Sequence, residues 1–218
     1  MGPIHPIRRA HPTENTRPIR RAHPTANARP IRRARPTANT GAMMRALAVT
    51  VSNRAAAGVY PDRSGPVLVD LLRRAGCDVV DGPLVIPDGD PVEEALRDSV
   101  AAGYDVVVTT GGTGLTPADL TPEMTRRVLD REIPGIAEAI RTAGAAAGVP
   151  AAVLSRGVAG LAGRTLIVNL PGSTGGVKDG MAVLGRILQH AVDQVHGGDH
   201  RPAQDVGEPG GHGESASG

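Results

Sequence analysis

The stretch Thr109-Thr110-Gly111-Gly112-Thr113-Gly114-Leu115-Thr116-Pro117-Ala118-Asp119-Leu120-Thr121-Pro122 combines glycines, hydroxyls and one carboxylate in a spacing that suits an anion. Glycine lets successive N–H groups turn toward an oxyanion without a Cβ in the way, and a nearby helix N-terminus adds partial positive charge. The apolar run from Asp105 to Val108 predicts a buried strand that empties into these glycines, and a helical pattern resumes at Thr121. Asp119 adds a carboxylate to a site otherwise built for anions, which implies a bridging cation. The stretch thus points to a phosphorylated small molecule held with a metal. It is not a P-loop, because no Gly-Lys-Ser/Thr follows the glycines. Nor is it a dinucleotide fingerprint, because Pro117 stands where the third glycine belongs.

Asp88, within Ile86-Pro87-Asp88-Gly89-Asp90, pairs with Asp119 as a candidate Mg²⁺ site, since that ion takes one or two carboxylates plus substrate oxygens. Each also has an ordinary reading: a turn residue after Pro87, and a cap near the next helix. Asp90 is expected to cap the helix that follows it. Arg156 is either a bidentate anion ligand or a solvated charge at a strand end. Ser173 fits a helix N-cap and, equally, a contact to a nucleotide or pterin. Lys178 is the only lysine, one turn into that helix, either near a phosphate or on the surface. Among His190, His196, His200 and His212 only His196 and His200 have i,i+4 spacing, and Gly197-Gly198 interrupts them. A solvated tail is expected there, not a metal site. No Ser-His-Asp arrangement or G-x-S-x-G elbow is present.

To bring these groups together the chain must alternate strands with helices. Strands are predicted at Ala46 to Ser52, Asp78 to Ile86, Asp105 to Thr110, Ala152 to Leu154 and Arg164 to Leu170. Helices are predicted from Ser64 to Ala75, from Asp90 to about Ala102, from Thr121 to about Arg131 and from Pro134 to about Ala147. A long helix after Ser173 carries Met181, Leu184, Leu188, Ala191 and Val195 on one face. Strands separated by helices of this length imply a three-layer α/β/α domain with a mostly parallel sheet over residues 44–198. Ligands gather beyond the carboxyl ends of such strands. Four segments there (51–54, 86–90, the glycine loop and 169–173) each follow a strand and precede a helix, so they are expected to converge in one crevice.

Charge is uneven along the 218 residues. Residues 1–42 hold nine arginines against one glutamate, a net +8, so the remainder carries −6 of the chain's overall +2. The basic pI belongs to this segment, and a nucleic-acid face on the body is not expected. The segment repeats with a twelve-residue period at 5–16, 17–28 and 29–40. Its prolines and sparse apolar surface predict disorder over 1–43, read as an upstream extension ahead of a start at Met43 or Met44 in preference to an Arg-rich tether for nucleic acid or a partner. Residues 199–218 are expected to form a flexible C-terminal tail. A single cysteine, Cys77, fits a reducing compartment, and no apolar run is long enough for a bilayer, so a cytoplasmic protein is expected. Without Phe or Trp the core must be Val, Leu, Ile and Ala.

Taken in order, several motifs resemble the Mog/MoaB family of molybdenum-cofactor biosynthesis, the molybdopterin adenylyltransferases. They are Val51-Ser52-Asn53-Arg54, Gly58-Val59-Tyr60-Pro61-Asp62, Ile86-Pro87-Asp88, Thr110 to Gly114, Asp119-Leu120-Thr121-Pro122-Glu123, Arg131 to Gly135, Leu154-Ser155-Arg156 and Asn169-Leu170-Pro171-Gly172-Ser173. The resemblance covers Met44 to Gly198 and neither tail. It implies a molybdopterin-binding domain, usually a homotrimer, that uses ATP and Mg²⁺ to transfer AMP to the molybdopterin phosphate with release of pyrophosphate. A downstream molybdenum insertase would take the product. By this resemblance Asp88 and Asp119 fall on catalytic and metal-binding positions, and Thr110, Gly111, Gly112, Thr113, Gly114 and Ser155 on molybdopterin-binding positions. Asn169, Pro171, Gly172 and Ser173 fall beside the nucleotide. Asn53 departs from the Asp of many relatives, and Ala56-Ala57 replace a Ser pair. The insertase itself normally carries additional domains, and a competence-damage-type protein would have Leu for Thr113 and an Asp pair near Asp119. The alternative outside catalysis is a trimeric carrier that binds molybdopterin without adenylylating it.

Overall fold

The computed structural model describes residues 43–197. The expectations for the repeats, for His200 and His212 and for the tail from 199 lie outside the described residues. The chain runs β1 (Arg45–Val51), α1 (Asn53–Ala56), α2 (Ser64–Arg74), β2 (Val79–Ile86), α3 (Asp90–Ala101), β3 (Val106–Thr110) and α4 (Thr121–Arg126). It continues with β4 (Arg131–Glu132), α5 (Pro134–Ala146), a 3-10 helix (Pro150–Leu154), β5 (Ala159–Ala162), β6 (Thr165–Leu170), α6 (Thr174–Leu184) and α7 (Leu188–Val195).

The strands lie in the order β2-β1-β3-β6-β5-β4. The first four pair in parallel; β5 runs antiparallel to β6, and β4 antiparallel to β5. Alternation along each central strand splits the core between two faces. Ala46, Ala48, Val106, Val108, Leu166, Val168 and Leu170 pack with Leu68 and Leu72 of α2, Ile140 of α5, Met181 and Leu184 of α6 and Leu188 of α7. Leu47, Val49, Val51, Val107 and Ile167 pack on the other face with Val92 and Leu96 of α3 and Met124 of α4. Full burial of each such side chain contributes about 1.5–3 kcal/mol. These two cores hold the strands in a register that sets Thr50 beside Thr110 and Thr110 beside Leu170. Three carboxyl ends therefore stop level, at the side where the glycine loop begins. Among the described residues no helix is long and apolar enough to cross a membrane.

Several expectations are corrected. Ala152 to Leu154 is not a strand but the end of the 3-10 helix opened by Pro150; Val153 and Leu154 face outward. The long terminal helix is two: α6 ends at Leu184, Gly185 caps it, and α7 starts at Leu188. The apolar face survives this break because Leu184 and Leu188 keep their four-residue spacing, with Val192 buried in place of Val195. The strand β5 went unread because Ala-Gly-Leu-Ala carries little β propensity, and β4 is two residues long. Gly89 (φ +94°), not Asp90, is the N-cap of α3, and the Asp90 side chain is 85% exposed. The helix opened by Thr121 stops at Arg126, short of Arg131.

Candidate active site

Beyond the level strand ends lies a crevice with two lobes. One, of about 570 Å³, is lined by the glycine loop, Leu115, Ile140, Arg141, Val149 and Ser155. The other, of about 880 Å³, is lined by Ser52, Asn53, Arg54, Tyr60, Arg63 and Asp88. Gly111, Gly112, Asp119, Gly172 and Ser173 border both and mark the junction. Two glycines make this junction possible. A Cβ on Gly111 would overlap the Val51 carbonyl oxygen, and one on Gly112 would overlap Thr121 Oγ1 and the Asp88 carboxylate; both have positive φ.

The two aspartates flank the loop but differ in how far they are engaged. Asp88 Oδ1 accepts from Gly89 N at 2.8 Å and Thr121 Oγ1 at 3.1 Å, while Oδ2 accepts from Leu120 N at 3.0 Å. Leu120 is the N-cap of α4 and makes no side-chain cap bond; Asp88 instead takes the Leu120 N–H and the Thr121 hydroxyl and so fixes where the helix starts. Its own N–H donates to Asn53 Oδ1 at 2.9 Å, which gives Asn53 a clear role at a position where an Asp would accept equally well. Asp119 uses only Oδ2, accepting from Thr116 N at 3.0 Å and Thr116 Oγ1 at 2.7 Å. Its Oδ1 accepts no hydrogen bond among the described residues, so one oxygen is available to a hard cation. No cluster of three or more acidic, His or Cys side chains that would hold a metal unaided occurs among the described residues. A Mg²⁺ ion there fits Asp119, with Asp88 beside it and substrate oxygens completing the shell.

The other sequence candidates divide. Thr110, beside the junction, donates from Oγ1 to Pro171 O at 2.7 Å, tying the ends of β3 and β6. Thr113 and Ser155 hydroxyls lie 3.2 Å apart beside the smaller lobe. Ser173 caps α6, accepting from Gly176 N at 3.0 Å, and lines both lobes. Asn169, expected beside the nucleotide, is buried and lines neither lobe; its Oδ1 accepts from Val158 N and its Nδ2 donates to Thr109 Oγ1 and Thr125 Oγ1, bracing β6. Lys178 is exposed and lines neither lobe. Arg156 is turned away from both lobes: its half-buried guanidinium bonds Gly114 O, Asp119 O and the Glu123 carboxylate, so the anion it holds belongs to the protein itself. Burial of Glu123 pushes its carboxyl pKa up, but the Arg156 hydrogen bond and charge outweigh this and hold it below the usual range. His196, expected in a solvated tail, instead sets Nε2 2.9 Å from Asp105 Oδ1, off the line of a hydrogen bond.

Sequence reasoning singled out 51–54 as unusual but assigned no role to Arg54, Tyr60 or Arg141. Arg54 stacks 5.0 Å from the Tyr60 ring centroid, and Ser52 Oγ lies 3.0 Å from Tyr60 Oη. Arg141 holds the wall of the smaller lobe through Gly157 O at 3.2 Å. The residues separating Arg141 from Gly157, mostly Ala and Gly, give no signal for that contact.

Known proteins carry the same domain. Residues 47–190 match the family model described as "Probable molybdopterin binding domain". A solved MogA structure is 56% identical, covering 69% of this chain and 99% of its own, with a TM-score of 0.67. The Mog protein from Mycobacterium ulcerans is 52% identical over 70% of this chain and 99% of its own, with a TM-score of 0.66. The molybdopterin adenylyltransferase of Haemophilus influenzae is 41% identical over 63% of this chain and 71% of its own. Against the bifunctional molybdenum cofactor biosynthesis proteins of Synechococcus elongatus and Chlorobaculum tepidum the chain spans only about half of their length, 48% and 50%. A sheet whose level carboxyl ends carry a glycine loop between two lobes, and a match running from β1 into α7, lead to one conclusion: this chain belongs to the molybdopterin-binding domain family of molybdenum cofactor biosynthesis.

Proposed function

We propose that the chain is a molybdopterin adenylyltransferase, transferring AMP from ATP to the phosphate of molybdopterin with Mg²⁺ and releasing pyrophosphate. The observation that carries this reading is the double lobe: two cavities of ligand size share one junction, and Asp119 lines both. Such a junction suits two substrates whose phosphates must meet. Molybdopterin is assigned to the smaller lobe, against Gly111 to Gly114, Thr113 and Ser155. ATP is assigned to the larger, with Gly172 and Ser173 at its α-phosphate and Arg54 and Arg63 toward its outer phosphates.

An oxygen of the pterin phosphate, already ionised at neutral pH, attacks the α-phosphorus. The bond from that phosphorus to the bridging oxygen breaks, and pyrophosphate leaves with the electron pair, so no general base is required. The chief obstacle is repulsion between anions. The backbone N–H groups of Gly112 and of Thr174 and Gly175 at the start of α6, which no acceptor among the described residues takes, offset it, and both substrates are held in line by the rigid strand ends. Bound Mg²⁺ supplies charge neutralisation, held by Asp119 with Asp88 beside it. The same reading carries a homotrimer and a downstream insertase that takes the adenylylated pterin.

Mass spectrometry of protein incubated with molybdopterin, ATP and Mg²⁺, with Asp119→Asn in parallel, tests the assignment. Expected is an AMP adduct with pyrophosphate from the native chain, and a loss of about 10²–10³-fold in rate for the variant. Bound molybdopterin without adduct in folded native protein overturns catalysis and leaves the carrier.

A further inference from the structure

Arg156 lines neither lobe, yet it makes a dense set of bonds to the loop that bears Asp119. Its backbone N donates to Thr113 O at 2.9 Å and its Nε to Gly114 O at 2.7 Å. Nη2 donates to Asp119 O, and Nη1 to Glu123 Oε1. One guanidinium therefore ties both shoulders of a loop whose crown is exposed, with Leu115 64% accessible. Within the loop, closure is local: Asp119 N donates to Thr116 O at 3.0 Å, and Thr116 returns its own bonds to the Asp119 carboxylate. The remaining ties just past Asp119 run from Leu120 N and Thr121 Oγ1 to Asp88 and from Thr121 N to Gly112 O. Without the guanidinium, the carbonyls of Gly114 and Asp119 lose these donors and the crown is held from its Asp119 side alone.

Glu123 completes the arrangement. It sits in the first turn of α4, uses Oε1 on Arg156, and leaves Oε2 buried without a hydrogen-bond partner. A buried carboxylate oxygen without a partner is costly, so the contact with Arg156 is what makes that placement tenable. A lysine ammonium offers no planar fork to span two carbonyls and a carboxylate at once.

We infer that Arg156, oriented by Glu123, is the positioning residue of the glycine loop, fixing the Asp119 carboxylate at the junction of the lobes without touching either substrate. The inference rests on the adenylyltransferase reading for its catalytic consequence, but its structural half stands apart from it.

The test uses Arg156→Ala, Arg156→Lys and the milder Glu123→Gln in the full chain, each measured for AMP transfer and for amide hydrogen exchange. Expected for both Arg156 variants is a fall in kcat on the order of 10²-fold with KM for ATP and molybdopterin little changed. Amides of residues 114–120 exchange faster while those of β3 stay protected. Added guanidinium ion restores part of the Arg156→Ala rate, and Glu123→Gln shows a smaller loss of the same kind. A kcat within threefold of native, a loss confined to KM, or unaltered loop exchange overturns the inference. If Arg156→Ala does not fold, Arg156→Lys and Glu123→Gln carry the same comparison. If the native chain forms no adduct, the adenylyltransferase reading fails, and loop exchange alone decides whether Arg156 positions Asp119.

Discussion

Aspartates gather at both ends of the parallel sheet and are treated differently. At the amino-terminal side, Asp78 accepts Met44 N and Asp105 accepts Arg45 N, each at 2.7 Å. Asp81 takes the Tyr104 hydroxyl at 2.6 Å, Arg45 lies 4.6 Å from the Tyr104 ring centroid, and His196 faces Asp105. These carboxylates close onto strands and side chains that are distant in sequence. At the carboxyl side, Asp88 and Asp119 accept mainly from loop N–H groups and face open lobes. One residue type thus knits the fold at one end and prepares a charged site at the other. What separates the cases is the partner: strand and ring at one end, loop backbone and threonine hydroxyls at the other.

The largest expected effect comes from forcing the two roles together at Gly112. In Gly112→Ala the new methyl meets Thr121 Oγ1 and the Asp88 carboxylate at a φ of +64°. Adduct formation should fall below about 1% of native, with a stability loss of about 1–3 kcal/mol from backbone strain. Rate assays and urea unfolding on the same sample check both parts. A variant that keeps native turnover would remove the glycine loop from the chemistry.

At the opposite end the balance should reverse. Asp105→Ala leaves Arg45 N–H without its acceptor and His196 without its anion, at a cost of about 1–3 kcal/mol. Turnover per folded molecule should stay within about twofold, since the residue is remote from both lobes. A large rate loss in a well-folded sample would show that the two ends are coupled and dissolve the comparison.

The same contrast explains what could be read from the sequence. Strand alternation and the glycine loop were legible because both depend on residues near one another in the chain, and β1, β2, β3 and β6 fall where the pattern puts them. Side-chain commitments were not, because they depend on what the fold brings alongside. Asn169 follows apolar Val168 and looks ligand-facing, yet Thr109 and Thr125 meet its amide only across the sheet. Arg156 looks like an anion ligand until Gly114, Asp119 and Glu123 surround it. Asp88 looks free until Leu120, 32 residues on, presents its N–H. Ala152 to Leu154 misled for another reason: three apolar residues cannot distinguish a buried strand from an outward-facing turn.

The smallest effect concerns the hydroxyl that closes the amino-terminal side. Burial, then the hydrogen bond and charge of Asp81, push the Tyr104 pKa from its ordinary 10.0 up to about 12, against a lowering influence of Arg45. Because the folded value is raised, the neutral phenol is favoured in the native state. Its contribution is fully present below pH 10 and is lost as pH rises toward 12. Cys77, pushed up to about 11 by burial and by Asp78 and Asp105, weakens the fold in the same direction, so the native curve alone does not isolate Tyr104. The measurement is therefore a difference: urea unfolding of native protein and Tyr104→Phe from pH 8 to 11. At pH 8 the variant should be about 1 kcal/mol less stable through the missing hydrogen bond, with Asp81 turned to water. As pH climbs past 10 that gap should narrow, because only the native chain has a phenol to ionise. A gap that stays constant to pH 11 would mean that Tyr104 is open to solvent, and that the amino-terminal side is no more closed than the site.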